Sequence, residues 1–444
     1  MTASVIDSPT LDISAINSVL KNRYVKKKLN TIAFLDRPFF ARVAKNEKGG
    51  GANMTIGIRN QLPATRSTRF SNSQAIATNA GGPSTYNSWV MPWYSDYATA
   101  NITGAAIDQA SGDENALIDV VTAETDGAFD QLANACAIAL YKNGGGSRGS
   151  IGSQPVNGVV YLASGPTIAL ANPDDAIYWG LNMPVMVSAD DGTGGAGTTT
   201  GGGGNNIGFI VAIDYDLGLL TVSSSLGGGN TNWSTIFNGV GAGYFLFAGG
   251  GGASSAGSDY SNYFAGIPGW LPITAPGASD SFYSQNRSKD PTKLAGVRVI
   301  GNGSQYEETI IEALKRTNRL GGKPEELYVT PTDWSGVEKS QQGRTIYNRV
   351  ESFDDPEIGF RTLEFTGPKN KVQVISDPYG TTGHGYLLQM DTWEFFSMGG
   401  VPRIIDEDSI KLLRIYNADA YEMRLVYRGV LGCYTPGYNA HILF

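Results

Sequence analysis

The chain has 444 residues, with 33 Lys+Arg against 41 Asp+Glu for a formal net charge of −8, 58 glycines, and only two histidines and two cysteines. His384, His441, Cys136 and Cys433 cannot make one Cys/His zinc cluster, two distant cysteines do not staple a disulfide scaffold, and no apolar run approaches the roughly 20 residues of a membrane-spanning helix. The N-terminus lacks the basic start, apolar run and small-residue cleavage site of a signal peptide, so the expectation is a protein made in a reducing cytoplasm, with length for about two to three domains and a sizeable core.

Residues 1–72 carry a net charge of +8, and the strongest cationic cluster, Lys21, Arg23, Lys26, Lys27 and Lys28, lies within them. Tyr24 is the only aromatic ring interleaved there, which does not make a base-stacking platform. Residues 73–148 and 149–286 carry −6 and −8, and these acidic blocks favour an acidic protein surface over nucleic acid as the cluster's partner. From 47 to 93 the chain makes a Gly- and polar-rich excursion flanked by strands. Residues 44–87, rich in Arg, Asn, Gln, Ser and Thr, have too few apolar side chains to pack as a globule of their own, so neighbours must order them. Arg59, Arg66 and Arg69 lie in this excursion and join the lysine cluster as candidate inter-subunit contacts.

The longest helical signal spans 111–142, where Leu117, Val121, Ala128, Leu132, Cys136 and Leu140 recur at steps of four and seven. Asp113, Glu114 and Asp119 fall in its first turns, where the helix dipole favours negative charge, and Asn143-Gly144 supplies a stop. Gly144 to Gly149 matches GxGxxG literally but follows a helix, whereas a phosphate cradle needs a helix to begin there, so it reads as a linker. Residues 149–286 then contain no Lys or Arg, and their eight acids are all Asp. Low-complexity glycine tracts, the longest at 192–204, separate expected strands at 159–163, 178–188, 207–213, 219–223 and 244–248, with 214–218 as a hairpin connection. The composition shift marks 155–262 as a small all-β domain inserted into a larger α+β protein. A helix at 304–320 follows, with Ile310, Ile311 and Leu314 as its apolar face. Next come a buried strand at 326–330, a short helix from Pro331, and strands at 386–390, 393–397, 420–433 and 441–444.

Residues able to do chemistry find little support. No G-x-S-x-G elbow occurs, and Gly322-Lys323 runs into Pro324 without the earlier glycine of a phosphate loop. His384 sits in a turn between strands and His441 beside Ile442 and Leu443, so both read as satisfied structural or surface histidines. The pairs Asp174-Asp175, Asp190-Asp191 and Asp354-Asp355 read as solvated turn residues. No catalytic, cofactor-binding or metal-ligating residue is assigned.

The order of these elements resembles the tailed-bacteriophage major capsid proteins of the HK97-like fold. The likeness also rests on Glu326-Leu-Tyr-Val-Thr-Pro-Thr-Asp-Trp334, Asp391-Thr-Trp393, Val401-Pro402, Asp419-Ala-Tyr-Glu422 and the stretch from Tyr427 to Pro436. The resemblance implies an α+β subunit with an N-terminal arm (1–45), an extended E-loop (46–95), a P domain built on the spine helix (96–154), the inserted β domain (155–262), a mainly A-domain segment (263–370) and P-domain strands returning to the A domain (371–444). Leu117, Val121, Leu132, Cys136 and Leu140 form the core stripe of that helix. It further implies hexamers and pentamers of an icosahedral shell around double-stranded DNA, assembled in the bacterial host cytoplasm and carried in the virion, with no membrane and no cofactor. A separate scaffolding protein, a portal protein and a decoration protein are the expected partners. The scaffold is expected to be separate because members with a built-in one carry a long charged helical segment before the arm, and only 20 residues precede Lys21. The family's Lys-to-Asn cross-link would need a lysine on the E-loop; Lys45 and Lys48 lie only at its base, so that activity is not carried over. An encapsulin-like compartment is the alternative within the fold, and a β-rich phage tail glycan hydrolase the alternative outside it.

Overall fold

The computed structural model describes residues 37–79, 84–105, 120–153, 165–194, 207–249, 259–341, 363–367, 369–406 and 413–444. In chain order the first elements are α1 (Pro38–Arg42), β1 (Ala44–Asn46), β2 (Asn53–Gln61), α2 (Phe70–Asn79), β3 (Thr85–Pro92), β4 (Tyr94–Thr103) and α3 (Val120–Leu140). There follow β5 (Gly149–Ser150), β6 (Thr167–Ala169), β7 (Pro184–Ser188), β8 (Gly208–Asp214), β9 (Leu219–Ser223), α4 (Trp233–Ile236), β10 (Phe245–Ala248), α5 (Ile267–Trp270) and α6 (Pro291–Ala295). The last part comprises β11 (Val297–Ile300), α7 (Tyr306–Leu320), β12 (Glu326–Val329), α8 (Pro331–Gln341), β13 (Leu363–Thr366), β14 (Lys371–Ser376), β15 (His384–Leu388), β16 (Trp393–Ser397), β17 (Arg403–Ile404), β18 (Leu413–Arg414), β19 (Ala420–Cys433) and β20 (Ala440–Leu443).

Three sheets and one ribbon result. β19 is the axis of the first sheet: its first ten residues pair antiparallel with β4, its last five with β16, and β17 and β18 also join it. β1 adds to β16 in parallel. α3 packs across β4 and β19. At ~1.5 Å per residue its 21 residues span about 32 Å. The second sheet is antiparallel throughout, in the order β5-β10-β7-β8-β9-β6. The third, β11-β20-β15-β12-β14-β13, is mixed, with β11/β20 and β12/β14 parallel. β2 and β3 form a separate two-stranded ribbon.

One apolar core joins α3, the first sheet and the second; a smaller one lies between α7 and the third sheet. α7 follows its sequence closely, with Glu307 and Glu308 in the first turn, Arg319 in the last, and Gly321 at φ +99° as the left-handed cap. Its buried face is Ile310, Ala313, Leu314 and Thr317, while Ile311 is half exposed. Ile311 therefore corrects the expected apolar face: it is one residue, about 100° of helix, off the 310–314–317 line.

The expected strands 219–223, 393–397 and 420–433 are found at those bounds. The hairpin at 214–218 is also present, with Gly218 at φ +65° and Asp214 Oδ1 accepting from the amides of Asp216 and Leu217. The expected strand 178–188 is shorter: Pro173–Tyr178 is a 3-10 turn begun by its proline, and pairing starts only at Pro184. The strand expected at 159–163 and the helical residues before 120 lie outside the described residues. The GxGxxG stretch has a steric explanation. A Cβ on Gly145 or Gly146 would collide with the carbonyl oxygens of Asp191 and Asp259, so these glycines let the second sheet's loops lie against the end of α3.

Candidate functional site

The β2–β3 ribbon pairs from Asn53↔Pro92 to Gln61↔Thr85, with one register shift between Arg59 and Gln61. Nine residues of β2 at ~3.3 Å each carry it about 30 Å. Its base is fixed: Ile56, Trp89 and Met91 are buried, and the Trp89 ring meets Trp270 edge-on at 5.2 Å and Phe282 at 6.0 Å. The Val90 amide donates to Tyr283 O at 3.1 Å and Gln285 Nε2 to Ser88 O at 2.7 Å. Away from the base this burial stops. Leu62, Phe70 and Tyr86 are 61%, 84% and 70% exposed, and Arg59, Arg66 and Arg69 are all exposed. A two-stranded ribbon is marginal in water on its own, and this one presents three apolar side chains and three guanidinium groups to whatever lies beyond the chain.

Of the stripe expected on α3, Leu132, Cys136 and Leu140 are buried, Val121 lies on the helix, and Leu117 lies outside the described residues. Burial pushes the Cys136 thiol well above its usual range, so it packs as a small apolar group. Lys21, Arg23, Lys26, Lys27 and Lys28 lie outside the described residues. The first described residue, Arg37, is anchored on α3: Nε donates to Asn134 Oδ1 at 2.6 Å, and Nη2 meets Asp130 Oδ1 at 3.0 Å. Directly after it, the Phe39 amide and the Tyr141 hydroxyl both donate to Asp377 Oδ2.

The two histidines form a hydrogen-bonded pair, His441 buried and His384 half-buried. His441 Nδ1 lies 2.6 Å from Leu271 O, which can only accept, so Nδ1 carries the proton and Nε2 is left as the acceptor for His384 Nδ1 at 2.8 Å. Burial and the neighbouring His384 push His441 down to about 3, and burial with the nearby Lys142 lowers His384. Both rings are therefore neutral and committed to hydrogen bonds. Position alone, 57 residues apart, gave no signal of the pairing.

Asp175 corrects the reading of the acid pairs. It is 5% exposed, and burial raises its carboxyl despite the attraction of Lys142. The apolar run Ala176-Ile-Tyr-Trp179 beside it was the available signal. Its neighbour Asp174 is exposed and accepts from Thr332 Oγ1 and Thr382 Oγ1, tying the second sheet to the third. Asp354 and Asp355 lie outside the described residues. The cation-free stretch is bracketed by Arg148 and Arg287, and each pairs with an aspartate inside it. Arg148 Nη2 meets Asp259 Oδ2 at 2.8 Å and Arg287 Nε meets Asp280 Oδ2 at 2.9 Å, all four side chains largely buried. Burial outweighs Arg148 and pushes Asp259 up to about 6. Asp174, Asp259, Asp280 and both arginines are thus committed to partners within the fold. Among the described residues no cluster of three His, Cys, Asp or Glu could hold a metal ion, and no helix is long and apolar enough to cross a membrane.

No protein-family model and no curated protein matches the chain. Among solved structures it is similar to a chain of the cyanophage A-1(L) capsid asymmetric unit, at 10% identity over 97% of this chain and 98% of that one, with a TM-score of 0.53. Weaker likenesses include the capsid of an empty GTA particle, at 8% identity, 97% and 98% coverage and a TM-score of 0.45. The holo-SrpI encapsulin complex from Synechococcus elongatus PCC 7942 has 7% identity, 97% and 94% coverage and a TM-score of 0.43. The mixed α+β fold is thus similar to that of the cyanophage capsid chain.

Proposed function

We propose that the chain is the major capsid protein of a tailed bacteriophage, a structural subunit without turnover that self-assembles into an icosahedral shell enclosing double-stranded DNA. The observation that carries this reading is a capsid fold from which a ribbon projects with its apolar and basic side chains uncovered by its own chain. In this reading β2, α2 and β3 are the E-loop, α3 is the spine of the P domain with β4, β16 and β19, the third sheet and α7 are the A domain, and the second sheet is the inserted β domain. The ribbon arginines and the arm lysines contact neighbouring subunits in hexamers and pentamers, with a scaffolding protein, a portal and a decoration protein as further partners. Negative-stain microscopy of the purified protein tests it. Closed shells protecting double-stranded DNA from nuclease are expected; persistent monomers overturn the shell, and shells filled with an enzyme overturn the phage assignment in favour of an encapsulin-like compartment.

A further inference from the structure

A cavity of about 430 Å³ lies at the foot of the ribbon, between β2, α6 and the turn that follows β19. Leu294, Leu320 and Pro436 give it apolar walls. Asp290 and Lys293 in its lining pair with each other, whereas Arg59 is exposed and has no ion pair or hydrogen bond among the described residues. Trp89, a fully buried residue of the lining, has an indole N–H without an acceptor among them. A buried donor in that state costs free energy that an acceptor entering the cavity would remove.

The opposite end of β19 carries a projection suited to it. Residues 414–419 turn β18 back into β19, and Tyr416 at this tip is fully exposed. Asp419 is exposed too, its carboxylate without a partner among the described residues. Arg414 leaves the tip without net charge, so the ring is its main anchor. The 14 residues of β19 lie between tip and cavity, about 46 Å at ~3.3 Å each. A chain therefore cannot fill its own cavity with its own tip.

We propose that a second copy of this chain seats its 414–419 tip in this cavity, with the Tyr416 ring between the apolar walls and Asp419 on Arg59. A guanidinium set against a carboxylate and a ring face completes groups that are left open within one chain. The contact joins two different surfaces, so it is head-to-tail: each subunit offers one tip and one cavity, and contacts of this kind propagate into rings and larger assemblies. It rests on the proposed shell reading and names two surfaces that meet in it.

Photocross-linking in the full-length chain tests it. Tyr416→benzoylphenylalanine places the reactive group on the exposed tip, and a mixture of isotope-labelled and unlabelled protein separates links between copies from links within one. Mixed-isotope links from 416 to peptides carrying 57–59 or 434–438 are expected, at a yield roughly tenfold lower with Arg59→Ala, the loss typical of one anchor residue. Arg59→Ala should leave the melting temperature unchanged, since the side chain is exposed. Links to other surfaces, links within one chain, no links, or a yield indifferent to Arg59→Ala overturn the contact. Shells that form without these links overturn it while leaving the shell reading intact, and head-to-tail links in a protein that makes no shells uphold it while the shell reading fails.

Discussion

His441 shows how far burial commits a single side chain. Unfolded, its imidazole titrates near ~6.5; folded, only at about 3. Between those values the unfolded chain binds the extra proton, so the pair's contribution is full above about pH 6.5 and is lost as pH falls toward 3. His441→Gln should therefore cost ~1–3 kcal/mol at pH 7, and its stability gap to the wild type should narrow at pH 5 in denaturant titrations. Asp259 has the opposite sign. Its folded value of about 6 lies above the unfolded ~3.9, so the folded state holds the proton more tightly and stability is gained as pH falls from about 6 toward ~3.9. Arg148→Met removes its counter-charge and should cost ~3–5 kcal/mol at pH 7. That loss should shrink below pH 6, where Asp259 protonates; an equal loss at both pH values would show that the carboxylate is not the cause.

The elements differ in where they find their partners. α3 is nearly enclosed at its C-terminal half, where Leu132, Ala133 and every residue from Cys136 to Leu140 are buried. Leu132→Ala should cost ~2–5 kcal/mol in stability, and Leu132→Asp should leave the protein insoluble because a carboxylate would be buried unpaired. The second sheet needs residues outside the 155–262 segment: β5 at its edge, and Arg148 as partner of Asp259. A fragment of 144–266 should give the dispersed amide spectrum of a folded β domain, whereas 155–262 should not. If the shorter fragment folds equally well, neither edge strand nor ion pair matters to the unit. The ribbon is the reverse case, since its tip gives its own chain no burial to lose.

At the scale of the whole molecule, and on the proposed shell reading, that difference separates folding from assembly. Arg59, Arg66 and Arg69 changed together to Glu should leave the monomer's melting temperature within a degree or two, because surface changes away from packed features stay within about 0.5 kcal/mol. The same variant should fail to form shells by sedimentation. For the arm, Lys26, Lys27 and Lys28 changed to Glu should block empty-shell formation if the partner is an acidic protein surface. High salt should weaken wild-type assembly in the same way, since the Debye length falls from ~8 Å near physiological salt to ~3 Å at 1 M. Empty shells forming normally from the triple variant, with failure only at DNA packaging, would assign the arm to the genome. In the proposed shell a small bias per contact suffices in either case, because symmetry repeats it at every subunit.

What the sequence by itself determined is whatever depends on neighbours along the chain. The 420–433 strand, the 214–218 hairpin and the stop at Asn143-Gly144 shortly after α3 were legible because periodicity, turn residues and glycine stops act within a few positions. The likeness to a capsid chain's fold was legible from the order of those elements, and the uncovered ribbon from a stretch too polar to pack alone. The tertiary structure decided the rest. Asp175 is buried, Ile311 is exposed, and Arg148 finds Asp259 at a separation of 111 residues, just as the two histidines meet across 57. Burial and charge pairing at such distances are set by which strands lie side by side, and strand order is a property of the packed sheets that no local stretch of sequence encodes.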